Sequence, residues 1–597
     1  MFLRPNRRQS EGGTYEYWTL VESVRTARGP RQRLVANLGK RPGLDETERL
    51  GWAHLEHLLD GREPARQGEL WPETGTAPDS APSWAQVDVQ GLRVERVREF
   101  GVVYLALALW RRLGLHELLR ELIEPGREEV SWELIACVLT VGRFCAQRSE
   151  LEVAERWYAD SALEDLLGVP WDQINEQRLY RGLDVLHAHK ERLCGHLRER
   201  YRTWFGVRFE FLLYDVTSTF FEGQALCNRK AARGYSRDQR PDCKQVCIGL
   251  VVTPEGLPLA YEVFAGNRAD VTTVEEIVEQ MESKYGQAEL LWVLDRGMVS
   301  EDNLDFLRAR RARYLVGTPK AQLRRHEAAL LDATGWAEVE PGVEVKLLPH
   351  PDGHSDEQFV LCRSAARRQK EAAMLELQRQ RLWGKLQELD TALKRRPAEA
   401  AVTERRVGRW LGRYTAAEKL LHVTVLRDAA GRACGVTVEE KTTRAEWARH
   451  AHGAYLLRTN CPERDPAQLW HWYMQLSQAE AAFRISKSDL SLRPVFHQKT
   501  ERVEAHILVC FLALALWRTL EMWMHQRGLG TCARKLIKEF ASIHSLDVVL
   551  PVKDRDPLRL RVVAQPDPLV ADLLAHLGLT LPLAPKIIQN VVEKKHP

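Results

Sequence analysis

Residues 208–222, RFEFLLYDVTSTFFE, followed by 244–256, KQVCIGLVVTPEG, and 257–266, LPLAYEVFAG, decide the fold class. Each is a short run rich in Val, Leu, Ile, Phe and Tyr, as strands are, and Pro254, Glu255 and Gly256 suit a hairpin between the last two. The pattern then changes. DVTTVEEIVEQMESKYG at 270–286 reads as a helix, with Asp270 and Thr272 as candidate caps. A strand follows (ELLWVLD, 289–295), then a helix (SEDNLDFLRARR, 300–311), then a strand (RYLVGT, 313–318). This order predicts an antiparallel meander extended by parallel strands with crossover helices, in a mixed α/β fold.

A mixed sheet flanked by helices in this order is the arrangement of a ribonuclease-H-like core. That reading assigns 206–325 to the first part of the core and 456–525 to the second, resuming at AYLLRTN (454–460). Between them, 326–455 is expected to be an insertion. It holds strand-like VEVKLLP and QFVLCRS, a long charged helical stretch from about Ala365 to Leu420, and more strand signal in HVTVLRDAAGRACGVTVEE. Upstream, 95–205 is helical in pattern, as in VVYLALALWRRLGLHELLRELI and WELIACVLTVGRFC. Residues 1–70 are expected to hold a β-hairpin around the Arg-Gly-Pro turn of YEYWTLVESVRTARGPRQRLVANLG. Residues 71–94 read as a linker because PETGTAPDSAPS lacks core formers, and 526–597 form a C-terminal region.

The 597 residues are 44% apolar and 28% charged, enough for several packed cores, and the net charge of +4 does not by itself announce a nucleic-acid partner. Any phosphate-binding surface must therefore come from local arrangement of the basic residues. The apolar run Ile507 to Leu516 is shorter than the ~20 residues of a membrane span, and MFLRPNRRQSEGG has no apolar signal-peptide segment. No membrane association is expected. The eleven scattered cysteines suit reduced thiols in a cytoplasmic protein.

Three acids carry the candidate chemistry. Asp215 sits inside an apolar strand, where an unpaired carboxylate is costly to bury. Asp295 ends LLWVLDRG, where a buried strand gives way to a helix, and ligands of open α/β sheets gather outside such strand ends. Glu480 lies in a helix expected over about Asp465 to Ser488. Two strands and a helix that bring three carboxylates together would hold two hard cations, which suit in-line displacement at phosphorus. Alone, Asp215 would be a strand acid satisfied by backbone bonds and Glu480 a solvated helix residue. Tyr473, Glu480 and Lys487 are spaced by seven, so a continuous helix places them on one face, with Arg484 one turn from Glu480.

With these residues the chain resembles the insertion-sequence transposases of the DDE type, in the branch whose third-acid helix carries a Tyr-Arg-Glu-Lys signature. Tyr473, Glu480 and Lys487 match the signature, while its Arg position holds Leu476. The likeness extends through YWTLVESVR, LYDVTSTFFEG, GYSRDQRPDCKQV, EVFAGNRADVTT, VLDRGMVS, AYLLRTN and AFRISKSDLSLRPVFH. It implies catalytic, metal-holding roles for Asp215, Asp295 and Glu480, and two Mg²⁺ ions for which Mn²⁺ can substitute. It implies strand cleavage that frees a 3′ hydroxyl, and transfer of that hydroxyl into target DNA. It also implies recognition of terminal inverted repeats, assigned to 95–205, a homodimer on transposon-end and target DNA, and a bacterial cytoplasmic protein associated with the nucleoid.

DNA contact is expected from Tyr473, Arg484, Lys487 and Arg493. Tyr473 packs or contacts DNA with equal weight, and Arg493 contacts DNA or braces the site. Arg296 caps or pairs with Asp295, and His497 and His506 pack locally. The competing functions are a ribonuclease-H-like nuclease that cuts without joining and a catalytically dead DNA-binding relative.

Overall fold

The computed structural model describes the backbone of 2–10, 13–26 and 29–39, and then residues 86–588 apart from 208, 210, 286–290, 352–355 and 555, with 284 and 285 in backbone only. At the N-terminus β1 (Phe2–Ser10), β2 (Gly13–Thr26) and β3 (Gly29–Gly39) form an antiparallel sheet, with Thr26 paired to Gly29 across the expected turn. β1 adds a strand that the sequence pattern did not suggest. Most of the expected linker lies outside the described residues. From Gln86 onward it is pinned down, with Asp88 N bonded to Pro551 O at 3.0 Å. β4 (Arg93–Glu99) follows directly.

Helices Gly101–Arg112, Leu115–Leu122, Trp132–Cys145, Glu176–His187 and Lys190–Phe205 come next. Several pack around helix Thr500–Gln526, which is long and apolar enough by composition to cross a membrane. The ten-residue apolar run thus belongs to a 27-residue helix, and 89% of that helix's most apolar window is buried inside the fold. A helix apolar all round is stable in water only when neighbours cover it on every side.

The central sheet has nine strands. The meander is β5 (Phe211–Phe220), β6 (Gln245–Val252) and β7 (Pro258–Ala265), antiparallel throughout. Gly256 makes the β6–β7 turn at φ +83°, a region open to glycine at no steric cost. β8 (Leu291–Leu294) and β9 (Arg313–Gly317) add in parallel on the other side of β5. Every residue of β6 and β8 is buried, as strands covered on both faces are. The helix after β7 starts as a tight turn, Asp270–Thr273, and continues as Val274–Tyr285. Its N-cap is Ala269, and no side chain caps it, so the expected capping by Asp270 and Thr272 is not what the structure has. Arg237 instead binds Asp270.

Within 326–455 the chain divides in two. β10 (Ala337–Glu340), β11 (Val343–Pro349) and β12 (Gln358–Ser364) continue the central sheet. Helices Ala365–Arg395 and Ala400–Arg413 and the antiparallel pair β13 (Leu421–Arg427) and β14 (Ala433–Glu440) pack round a small core of their own, centred on Leu386, Leu389, Leu393 and Val407. β15 (Ala454–Thr459) then runs antiparallel between β12 and β9, so the sheet order is β10-β11-β12-β15-β9-β8-β5-β6-β7. All eleven cysteines are free thiols.

The C-terminal region closes back on β4. β16 (His544–Leu550), β17 (Leu558–Val563) and β18 (Lys586–Ile588) form a sheet in the order β18-β17-β16-β4. A buried ion network fastens it. Asp547 accepts from Arg561 Nε at 2.7 Å and from Arg98 Nη2 at 3.3 Å, and Arg98 also reaches Asp165 at 3.3 Å. Removing the acid leaves two buried guanidiniums short of counter-charge, which costs about 3–5 kcal/mol. Asp547→Ala should therefore lower the urea midpoint clearly. A midpoint unchanged from wild type would show that the C-terminal sheet is held by apolar packing alone.

Candidate active site

The β5–β8 pairing sets the first two acids. Its register runs Phe211 to Leu291 through Tyr214 to Leu294. One step further along the same two parallel strands, about 4.8 Å apart, lie Asp215 and Asp295. Tyr214 points to the other face, where its hydroxyl bonds Thr273 Oγ1 at 2.9 Å. Asp295 lies just past the end of β8 and opens the tight turn Arg296–Met298, with Met298 N donating to its carbonyl at 3.0 Å. Arg296 is exposed, and no salt bridge joins it to Asp295.

The third acid comes from a helix packed on β5 and β6. The expected single helix is two, Pro466–Met474 and Leu476–Ser488, joined at Gln475. Tyr473 therefore lies on a different helix from Glu480 and Lys487. It ends the first helix and reaches Asp295, with Tyr473 Oη 3.4 Å from Oδ1. Burial first, and then the Asp295 charge, push the Tyr473 phenol up, so it stays protonated as a donor. Gly317 on β9 makes the room, because a Cβ there would run into Tyr473 Oη. Leu476, in the signature's arginine slot, is buried in the apolar core.

Asp215 is half-buried, and its pKa is pushed up to about 7. Burial is the main cause. The bond from Val216 N to Oδ1, 2.8 Å, and the charge of Arg237 oppose it, while the charges of Asp295 and Glu480 add to it. All three acids thus share one electrostatic field. Among the described residues no ion pair holds any of them, and such a like-charge group is a fitting donor set for hard divalent cations.

The expected DNA-contacting cations divide. Arg484 is exposed on the Glu480 helix. Lys487 and Arg493 instead converge on Asp238, whose side chain is only 3% exposed, with Lys487 Nζ at 2.8 Å from Oδ1. Burial pulls the Lys487 ammonium pKa down against the hold of Asp238. Sequence reasoning missed Arg237, Asp238, Asp270 and Gly317. The first three lie in GYSRDQRPDCKQV and EVFAGNRADVTT, whose polar residues are the signal, although nothing local tells which partner each meets.

The tight three-ligand geometry, with ligand atoms within 4.8 Å of one another, occurs among the described residues at Glu150, His497 and His506 rather than at the acids. Arg143 Nη2 donates to Glu150 Oε1 there at 2.8 Å, and burial pulls the His506 pKa down to about 4. The buried charge is already balanced, and an added dication would leave two positive charges uncompensated, so this is a salt-bridged packing cluster. His497 Nε2 lies 3.4 Å from Glu150 Oε2 and His506 Nδ1 3.4 Å from Oε1.

Two outcomes test this geometry. The raised Asp215 pKa means the folded chain keeps a proton that the unfolded chain has released between about pH 4 and pH 7. Stability from this group is therefore lost as pH rises through that window. In chelator-treated buffer Asp215→Asn should melt higher than wild type at pH 8 and equal to it at pH 4. An equal gap at both values would show that the Asp215 pKa is not raised in the folded chain. Gly317→Ala should displace Tyr473 and quench or shift a fluorescent or NMR probe on the tyrosine, with melting lowered by a few degrees at most. An unmoved Tyr473 signal would place the ring elsewhere.

Residues 213–516 match the family model of the transposase DDE domain, and residues 3–74 match the N-terminal domain of IS1634 family transposases. No curated protein matches the chain. Among solved structures, the chain is similar to the piggyBac transposase synaptic complex with hairpin DNA, seen by cryo-electron microscopy. That likeness has 8% identity and a TM-score of 0.33 over 74% of this chain and 79% of the other, too remote to argue from. The matched DDE domain spans half the chain and takes in all three acids, and the chain belongs to the DDE transposases of insertion sequences.

Proposed function

We propose that this transposase binds the terminal inverted repeats of its element, cuts at their ends and joins the freed 3′ hydroxyl to target DNA. The observation that carries the reading is that Asp215, midway along β5, and Asp295, just past the end of β8, lie one step beyond the same parallel register, with the charges of Asp295 and Glu480 both acting on Asp215. The meander with parallel additions supports a ribonuclease-H-like core, and the helices between 101 and 205 are the proposed end-recognition surface.

Asp215, Asp295 and Glu480 would hold two Mg²⁺ ions, with Mn²⁺ able to replace them. Bound there, the ions would supply Lewis-acid activation of the attacking oxygen and charge stabilisation of the leaving one. The chain's own residues do the rest. Tyr473 holds Asp295 in place through its hydroxyl. Arg484, exposed one turn from Glu480, would take a backbone phosphate, while Lys487 and Arg493 fix the Asp238 loop beside it. Two ends must meet for joining, so the acting form is a homodimer on DNA.

The test is incubation of the full chain with end-sequence DNA, Mg²⁺ and a supercoiled plasmid. Cut ends and joined plasmid are expected. Asp215→Asn should drop both at least a hundredfold and leave end binding intact. Cutting without joined product would identify a nuclease, and full-rate cutting by Asp215→Asn would sink the site assignment.

A further inference from the structure

A cleft of about 190 Å³ opens beside Asp295, between it and residues of β9 and β15. Its walls carry three cations from separate segments. Arg296 follows Asp295, Lys320 starts the turn Lys320–His326, and Arg367 lies in the first turn of helix Ala365–Arg395.

Cations gathered this way repel one another unless an acid organises them. Glu371 does so. Its Oε2 accepts from Lys320 Nζ at 2.6 Å and from Gly453 N at 3.0 Å, and its Oε1 accepts from Arg367 Nε at 3.0 Å. Against the effect of burial, these bonds hold the Glu371 carboxyl down to about 2, so it stays charged through the working range. The Arg367 guanidinium also lies 5.0 Å over the Tyr455 ring, which limits its motion. With Nε committed to Glu371, the Nη1 and Nη2 groups of Arg367 make no hydrogen bond among the described residues. A guanidinium held by one edge presents paired donors that match two oxygens of a phosphate. Three cations outnumber the two acids of the cleft, Glu371 and Asp295. A polar, cationic cleft of this size suits an oxyanion rather than an apolar ligand.

We propose that this cleft is a subsite for a backbone phosphate of a DNA strand running past Asp295, gripped by Lys320 and Arg367, with Glu371 as the residue that positions both. It deepens the proposed function, on which it rests for the identity of the strand. The binding experiment below does not depend on cutting.

Binding of a fluorescent DNA duplex is measured in the Asp215→Asn background between about 50 and 200 mM salt, where each phosphate contact adds roughly 0.9 to the slope of log affinity against log salt. Lys320→Ala with Arg367→Ala should flatten the slope by about one, equally for any DNA sequence. Lys320→Arg should retain it. Glu371→Gln removes a negative charge, yet it should weaken binding, because it frees the two cations. Tighter binding by Glu371→Gln, or an unchanged slope in the double variant, overturns the proposal. Inorganic phosphate should displace the duplex from the Asp215→Asn chain more than chloride does at equal ionic strength, and a difference that persists in the double variant would overturn the proposal too. Lys320 and Arg367 are substantially exposed, so matching melting curves check that the variants fold. A flattened slope alongside failed strand joining in the wild-type chain would sink the proposed function and leave this cleft standing.

Discussion

Everything at the candidate site follows from one pairing, β5 with β8 in parallel register. Parallel neighbours put corresponding residues on the same face, so the register that pairs Tyr214 with Leu294 carries Asp215 and Asp295 to the same face one step on. A slip of one residue would turn one of the two carboxylates to the opposite face. Both strands are therefore clamped from both sides. β6 and β9 hold their outer edges, and buried apolar side chains cover both faces. The long buried helix Thr500–Gln526 contributes to that cover by packing against β7 and the helices between 101 and 205.

The third acid needs a separate fastening, because it sits on an element far away in sequence. The dipeptide Arg237–Asp238 supplies much of it. Arg237 binds Asp270 and lies close enough to Asp215 to act on its charge, while Asp238 holds Lys487 on the Glu480 helix and Arg493 just beyond it. One short loop thus ties the sheet side of the site to the helix side. The strand-like step from Phe220 to Val495 adds a second tie, with Val495 N bonded to Phe220 O at 2.9 Å. Removing charge from Asp238 would leave a buried ammonium without its counter-ion, an imbalance that low-dielectric surroundings make expensive.

Much of this was legible in the sequence because it is periodic. The strands of the meander, the parallel additions and β11, β12 and β15 all stand out as apolar runs bounded by turn residues, and Asp215 interrupts and Asp295 ends such a run. What was not legible is pairing over distance. VEVKLLP and QFVLCRS read as strands, but nothing local says that they extend the same sheet through β15. The heptad spacing of Tyr473, Glu480 and Lys487 assumed an unbroken helix. A break at Gln475, where no Gly or Pro warns of it, puts Tyr473 on a separate helix, where it meets Asp295, and the partner of Lys487, Asp238, lies far away in sequence. Likewise Arg98, Asp547 and Arg561 look solvated in sequence, and they are buried because they meet one another.

Five of the cations around the site share one arrangement. Arg237 is held by Asp270, Lys487 and Arg493 by Asp238, and Lys320 and Arg367 by Glu371. Each group is paired to an acid other than Asp215, Asp295 or Glu480. Had any of these side chains closed directly on the three acids, it would have satisfied them as an ordinary buried salt bridge and lowered their pKa values. Because the pairing is diverted, Arg237 only partly offsets the burial and like-charge effects on Asp215, whose pKa remains high. The outer acids thus keep positive charge near the site without letting it neutralise the centre. A site that must attract a polyanion and still keep three carboxylates free needs both halves of that arrangement.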